Sequence, residues 1–223
     1  MKISYTKILF FLVYTLSPIL GRGQLRVIES SFYKCADLAK LDVIPQRHPH
    51  WCFAATSQMA LTYFKKPVDY QYRIAETLVS ATNVHNDACY TQAIDMTNIR
   101  IPSSSIDNWV EYLQSKGLQN ARYHINMNTN ILKNQLDNCN PVIGIFNVQG
   151  INDFHAMLIV GYIIGKDKGL FSLFKTSRTF FKVLDPLDPC QGCTYWIEYA
   201  KGEFKSSTIN RIYAINQSRM ITF

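Results

Sequence analysis

"PVIGIFNVQGINDFHAMLIVGYII", residues 141–164, is where the chain changes character. Two runs in it, 142–148 and 155–164, are dense in β-branched and aromatic side chains, and the loop-like Gln149-Gly150-Ile151-Asn152-Asp153 lies between them. Runs of this composition bounded by turn residues read as strands. Three more follow: "FFKVLD" (180–185), "TYWIEYA" (194–200) and "RIYAIN" (211–216). Upstream of Asn140-Pro141 the period is helical instead. Ile106, Trp109, Val110 and Leu113 recur at i, i+3, i+4 and i+7 behind Ser104-Ser105-Ile106-Asp107, which resembles a capping box, and Gly117 is placed to end that helix. Residues 52–64 read as a helix stopping before Pro67, 70–82 as a second with Ile74, Leu78 and Val79 on one side, and 130–138 as a shorter one around Ile131, Leu132 and Leu136. No repeat or low-complexity tract interrupts the pattern. A helical first half and an antiparallel second half make an α+β protein with segregated elements, and the cleft between the halves is the natural ligand site.

The N-terminus sets the compartment. Lys2 and Lys7 precede an apolar run over residues 8–20, and Gly21-Arg22-Gly23 follows as a small-x-small tripeptide. This is the pattern of a secretory signal peptide, residues 1–23, too short and too Pro-interrupted for a spanning helix that needs ~20 residues. Residues 24–223 then form one domain, exported to the periplasm or the extracellular space, with no stable membrane insertion after cleavage. Loss of Lys2, Lys7 and Arg22, with no acid among residues 1–23, reduces the net charge from +7 to +4. The remaining basic residues are scattered, so nucleic acid is not an expected partner. The sequence carries no signal for oligomeric state.

Cys35, Cys52, Cys89, Cys139, Cys190 and Cys193 all lie beyond residue 23. In an oxidising compartment they are free to pair, but if Cys52 is kept as a thiol the other five cannot all do so. Cys190-Gln191-Gly192-Cys193 sits in turn-rich sequence after Asp185-Pro186-Leu187-Asp188-Pro189. A redox CxxC needs a helix behind it, and a zinc knuckle needs a second ligand pair. Neither is present, so this pair reads as a small-loop disulfide, with free structural thiols as the alternative. No cofactor or metal is called for.

Cys52 falls at the start of the first long helix, where unpaired backbone N–H groups favour thiolate over thiol. Alone it would be one more buried thiol. A nucleophile needs a base, and His155, at the start of the most apolar strand, is the candidate. Asp185 ends the strand 180–185 and can orient the imidazole from the same rim of the sheet. Gln46, six residues before Cys52, can aim its amide at the carbonyl oxygen that the Cys52 N–H also meets. His48 and His50 are nearer in sequence, but a residue on the entering loop rarely has a rigid orienter of its own.

Taken together, Gln46, Trp51-Cys52-Phe53-Ala54-Ala55, Asp153-Phe154-His155-Ala156 with Val160-Gly161-Tyr162, and Val183-Leu184-Asp185-Pro186 resemble the papain-like cysteine peptidases. Among these the chain is most similar to the short bacterial branches that include bacteriocin-leader peptidases and plant-pathogen effector proteases. The resemblance covers most of residues 24–223. It implies a papain-like fold, a helical N-terminal half packed on an antiparallel sheet or barrel, with catalytic Cys52, His155 and Asp185 and an oxyanion Gln46 acting on a protein or peptide. Phe53 stands where the family often has Trp, and Phe154 where it often has Gly, which would narrow the cleft at the base. The transporter fused to leader peptidases has no counterpart here, so that substrate is not implied. The same Cys-His-Asp order also serves transglutaminases and deamidases, and a catalytically silent peptide-binding protein is a third reading. The segment between Gly23 and Gln46 is too short for a folded inhibitory propeptide.

Overall fold

In the computed structural model, residues 25–31, 34–48, 51–78, 103–148, 154–167, 177–187, 193–200, 203–206 and 212–223 are described. Helices α1 (Ala36–Ala39), α2 (Cys52–Tyr63), α3 (Gln71–Leu78), α4 (Ser103–Ser115) and α5 (Thr129–Asp137) occupy the first part of the chain. Strands β3 (Val142–Val148), β4 (Phe154–Asp167), β5 (Ser177–Asp185), β6 (Cys193–Ala200), β7 (Glu203–Ser206) and β8 (Ile212–Thr222) follow, all antiparallel to their neighbours. The mixture of helices and antiparallel sheet agrees with the α+β expectation.

The segregation is less strict than the periodicity implies. Two strands come from the first half: β1 (Leu25–Ser30), which pairs with the far end of β4, and β2 (Arg122–His124), which pairs with the end of β8. Both are short and carry charged residues, and each is held as a strand by an edge made elsewhere in the chain rather than by its own alternation. Residues 1–24, 79–102 and 188–192 lie outside the described residues, and with them the signal segment, Val79, Cys89 and Cys190; His50 and Asp153 do as well.

The ladder runs β1-β4-β3-β8-β7-β6-β5, and β5 pairs again with β4. Starting at β4, the pairings therefore return to β4. Phe146 of β3 and Phe181 of β5 both meet Phe204 of β7, with ring centroids 5.4 and 5.8 Å apart. None of these strands is a direct neighbour of β7 except through an intervening one, so the three rings gather on a shared inner face. Gly144 is required beside them: a Cβ there would collide with the Phe146 ring.

α2 is buried around nearly its whole circumference, with Cys52 to Ser57 all buried and only Thr62 exposed. A helix of that kind is a core element. Ala54, Ala55, Thr56 and Ser57 keep its first turns slim enough to pack against β4 and β3, while α3 touches it from the other side and α4 lies on α3. Trp109 of α4 reaches in, donating Nε1–H to Ser57 Oγ at 2.7 Å and meeting the Phe53 ring edge-on at 6.1 Å. Phe53 thus fills space that a larger Trp would contest.

Three helices end alike. After α2, Lys65 takes φ +54° while Lys66 N–H bonds Leu61 O at 2.9 Å; after α4, Gly117 takes φ +95° while Leu118 N–H bonds Leu113 O at 3.1 Å. After α5, Cys139 takes φ +60° while Asn140 N–H bonds Gln135 O at 2.9 Å. Each is a left-handed residue followed by a bond back across the last turn, which satisfies carbonyls the helix leaves open. Cys139 is also joined to Cys35 by a disulfide spanning 104 positions. That link fastens the segment after β1 to the end of α5. Close by, Tyr162 of β4 presents its hydroxyl to Glu29 of β1 at 2.6 Å and Asp137 of α5 at 2.8 Å.

Candidate active site

Cys52 is the first residue of α2, Trp51 being its N-cap without a side-chain capping bond. The helix N-terminus therefore opens directly onto β4. There the Ala156 N–H donates to Cys52 Sγ at 3.4 Å, and the preceding residue is His155. His155 Nε2 lies 2.6 Å from Asp185 Oδ1. With Nε2 turned to the carboxylate, Nδ1 is the ring nitrogen left for the Cys52 sulfur, which with Asp185 favours the charged ring. Cys52, His155 and Asp185 are 8%, 6% and 3% exposed, so the three are shielded from bulk water. Cys52 is a free thiol.

The sheet register explains the meeting of His155 and Asp185. Leu158 stands opposite Leu184 and Ile159 opposite Val183, which puts Asp185 on the same face of the sheet as Met157 and His155. Asp185 is heavily engaged. Its Oδ1 accepts from the Leu187 N–H at 2.9 Å as well as from His155, and its Oδ2 accepts from the Tyr195 hydroxyl at 2.7 Å. Tyr195 lies opposite Val183 on β6 and so shares that face; its oxygen is also 3.1 Å from Met157 Sδ.

Burial alone would lower the imidazole pKa. The bond to Asp185, the bond to Cys52 and the charges of both outweigh it and push His155 up to about 10. Burial likewise disfavours the Asp185 carboxylate, but bonds from His155, Tyr195 and the Leu187 N–H hold it below its usual value. The arrangement favours an imidazolium beside the Asp185 carboxylate.

Gln46 occupies the loop ahead of α2. Its backbone N–H donates to Pro186 O at 3.0 Å, directly after Asp185, and its Nε2 donates to His48 O at 2.9 Å. The same carbonyl accepts the Trp51 N–H at 3.0 Å, so the turn leading into Cys52 is tied to the Gln46 side chain. One of the two Nε2 hydrogens is used in this way.

All four residues singled out by sequence are thus on elements that converge, and Asp185 is doubly anchored. The His48 ring lies against Trp51 at 5.2 Å, and its carbonyl is what the turn uses. Phe154, expected to narrow the cleft at the base, does not share the face of His155. It lies on the opposite face of β4 from His155, 39% exposed, with the Arg219 guanidinium 5.0 Å from its ring. Tyr195 was not among the sequence candidates. Its signal is register, which places one of the aromatics of "TYWIEYA" diagonally across from Asp185.

Neither the curated proteins nor the solved structures contain a match to this chain. A family model does match, over residues 39–214, a span that begins ahead of Gln46 and includes Cys52, His155 and Asp185. That family is consistent with the papain-like cysteine peptidase superfamily and points to a cysteine peptidase. The chain belongs to the Peptidase_C39 like family.

Proposed function

We propose that the protein is an exported cysteine peptidase in which residues 24–223 form a papain-like domain and the substrate peptide lies in a cleft between helices and sheet. Cys52 attacks the scissile carbonyl as thiolate. The Cys52 N–H and the Gln46 amide hold the oxyanion, and the His155 imidazolium protonates the leaving amine. His155, then neutral, takes a proton from water, which releases the acyl group from sulfur. Asp185 keeps the ring turned throughout and favours its charged form. The observation that carries this reading is the buried line from Cys52 through His155 to Asp185, with the imidazole clamped at 2.6 Å on a strand facing the start of α2.

Export is supported by the charged, apolar and small-residue pattern of residues 1–23 and by the Cys35–Cys139 disulfide, a bond that persists in oxidising compartments. Integration of β1 into the sheet supports a mature chain that retains residues 25–30 as structure rather than as a removable propeptide.

Incubating the protein with a proteome-derived peptide library tests the activity. New N-termini, absent with Cys52→Ala, are expected. Release of ammonia from glutamine side chains without new N-termini would make the enzyme an acyl transferase. A Cys52 that iodoacetamide labels no faster than the other thiols, with no turnover, would make it a silent binding protein.

A further inference from the structure

We infer that Gln71 is the positioning residue for Gln46, holding both peptide groups that flank it. This rests on the oxyanion role proposed above for Gln46. Residues 41–48 form no helix or strand, so their backbone groups need partners from elsewhere. Gln71, at the first position of α3 and 3% exposed, supplies two of them. Its Nε2 donates to Pro45 O at 2.9 Å, and its Oε1 accepts the Arg47 N–H at 2.8 Å.

The Pro45 carbonyl belongs to the peptide plane before the Gln46 Cα, and the Arg47 N–H belongs to the plane after it. Each plane is rigid, so fixing both fixes φ and ψ of Gln46 and with them the direction in which its side chain leaves the backbone. The amide does what a neighbouring strand would do, for a single residue. Its remaining Nε2 hydrogen goes to Gln58 Oε1 at 3.0 Å, and Gln58 Nε2 donates to Asp69 O at 2.7 Å. Gln58 is on α2, the helix that begins with Cys52. The clamp on Gln46 is thereby referenced to the same rigid element that carries the thiol, which is what an oxyanion donor must be aligned with.

Gln71→Met, apolar and of nearly the same length, removes the three bonds and keeps the volume. With the library peptide that the unsubstituted protein cleaves fastest, kcat should fall by about 10²-fold with little change in KM, as for an angstrom-scale misplacement. Alkylation of Cys52 by iodoacetamide, which forms no oxyanion, should keep its rate. In a Gln46→Ala background, Gln71→Met should cost nothing further, because the group it aims is gone. If Gln71→Met does not fold, Gln71→Asn, an amide of shorter reach, carries the same comparisons. Unchanged kcat, loss of alkylation in parallel with kcat, or full additivity with Gln46→Ala would overturn the inference. A protein that cleaves no peptide overturns the peptidase reading and this one together, whereas one that cleaves and ignores Gln71 overturns this one alone.

Discussion

Asp185 offers two oxygens to three donors, and how it divides them determines what a substitution does. Oδ1 takes His155 and the Leu187 N–H, while Oδ2 takes only Tyr195. In Asp185→Asn the amide oxygen can keep the first two, and the new NH2 faces a hydroxyl that can accept it by turning its own proton toward Met157 Sδ, 3.1 Å away. The ring stays oriented. In a serine triad the same change costs about 10⁴, largely through the wrong tautomer. Here the imidazolium has protons on both nitrogens, so Asp185→Asn should lose clearly less than about 10⁴ in kcat. The lost negative charge should move the alkaline limb of the rate profile to lower pH; a limb that stays in place with activity intact would remove Asp185 from the mechanism. Stability carries the same signature. His155 is raised from 6.5 to about 10 in the folded chain, so its contribution is complete below about pH 6.5 and drains away as pH climbs through 10. Asp185, held below 3.8, contributes above that value and fades as pH falls through its folded value. The gap in urea midpoint between the unsubstituted protein and His155→Ala should therefore narrow from neutral pH toward pH 10; a constant gap would mean the imidazole is not held charged. Cys52, His155, Asp185 and Gln46 were readable as a candidate set from residue type and order. Tyr195 and Gln71 were not, since a tyrosine in an aromatic strand and a glutamine at a helix start acquire their roles only from register and from what packs against them.

At the scale of elements, the left-handed residues after α2 and α4 supply a matched pair of tests. Gly117 sits at φ +95° where L side chains are strained, and Lys65 sits at φ +54° with a side chain in place. Gly117→Ala should destabilise by roughly 1 kcal/mol, whereas Lys65→Gly should relieve strain and stabilise by roughly 0.5 kcal/mol, the gain reduced by the freedom of glycine in the unfolded chain. Urea midpoints read both, and effects of the same sign would contradict the shared geometry. Gly117 was legible as a stop because glycine announces such a site; Lys65 was legible only through Pro67 behind it. The same contrast separates the strands. β3 matches its expected bounds, 142–148, because seven residues of its own carry the pattern. β7 is "EFKS", with a single large apolar side chain, and becomes a strand because β6 and β8 each offer it an edge.

For the whole molecule, the Cys35–Cys139 link was the feature least accessible from sequence, since cysteine spacing does not encode which thiols approach. Closing 104 positions, it should contribute roughly 2–4 kcal/mol. The Cys35→Ser, Cys139→Ser double variant should lose about that in urea unfolding, while iodoacetamide still labels Cys52; an unmoved midpoint would show that the N-terminal segment is held by other means. The pairing of β1 with β4 joins Leu25 to Asp167 and Ser30 to Ile163. On a ribosome that elongates from the N-terminus, β1 is therefore the first of the described strands made, yet its partner edge comes more than a hundred residues later. β3 and β4, joined by a short loop, can form a hairpin at once, and the β1 docking edge exists only after that. Assembly must then run backwards along the chain, with the earliest strand kept as an unclaimed edge until β4 arrives, which is the interval in which this protein is most open to pairing with the wrong neighbour.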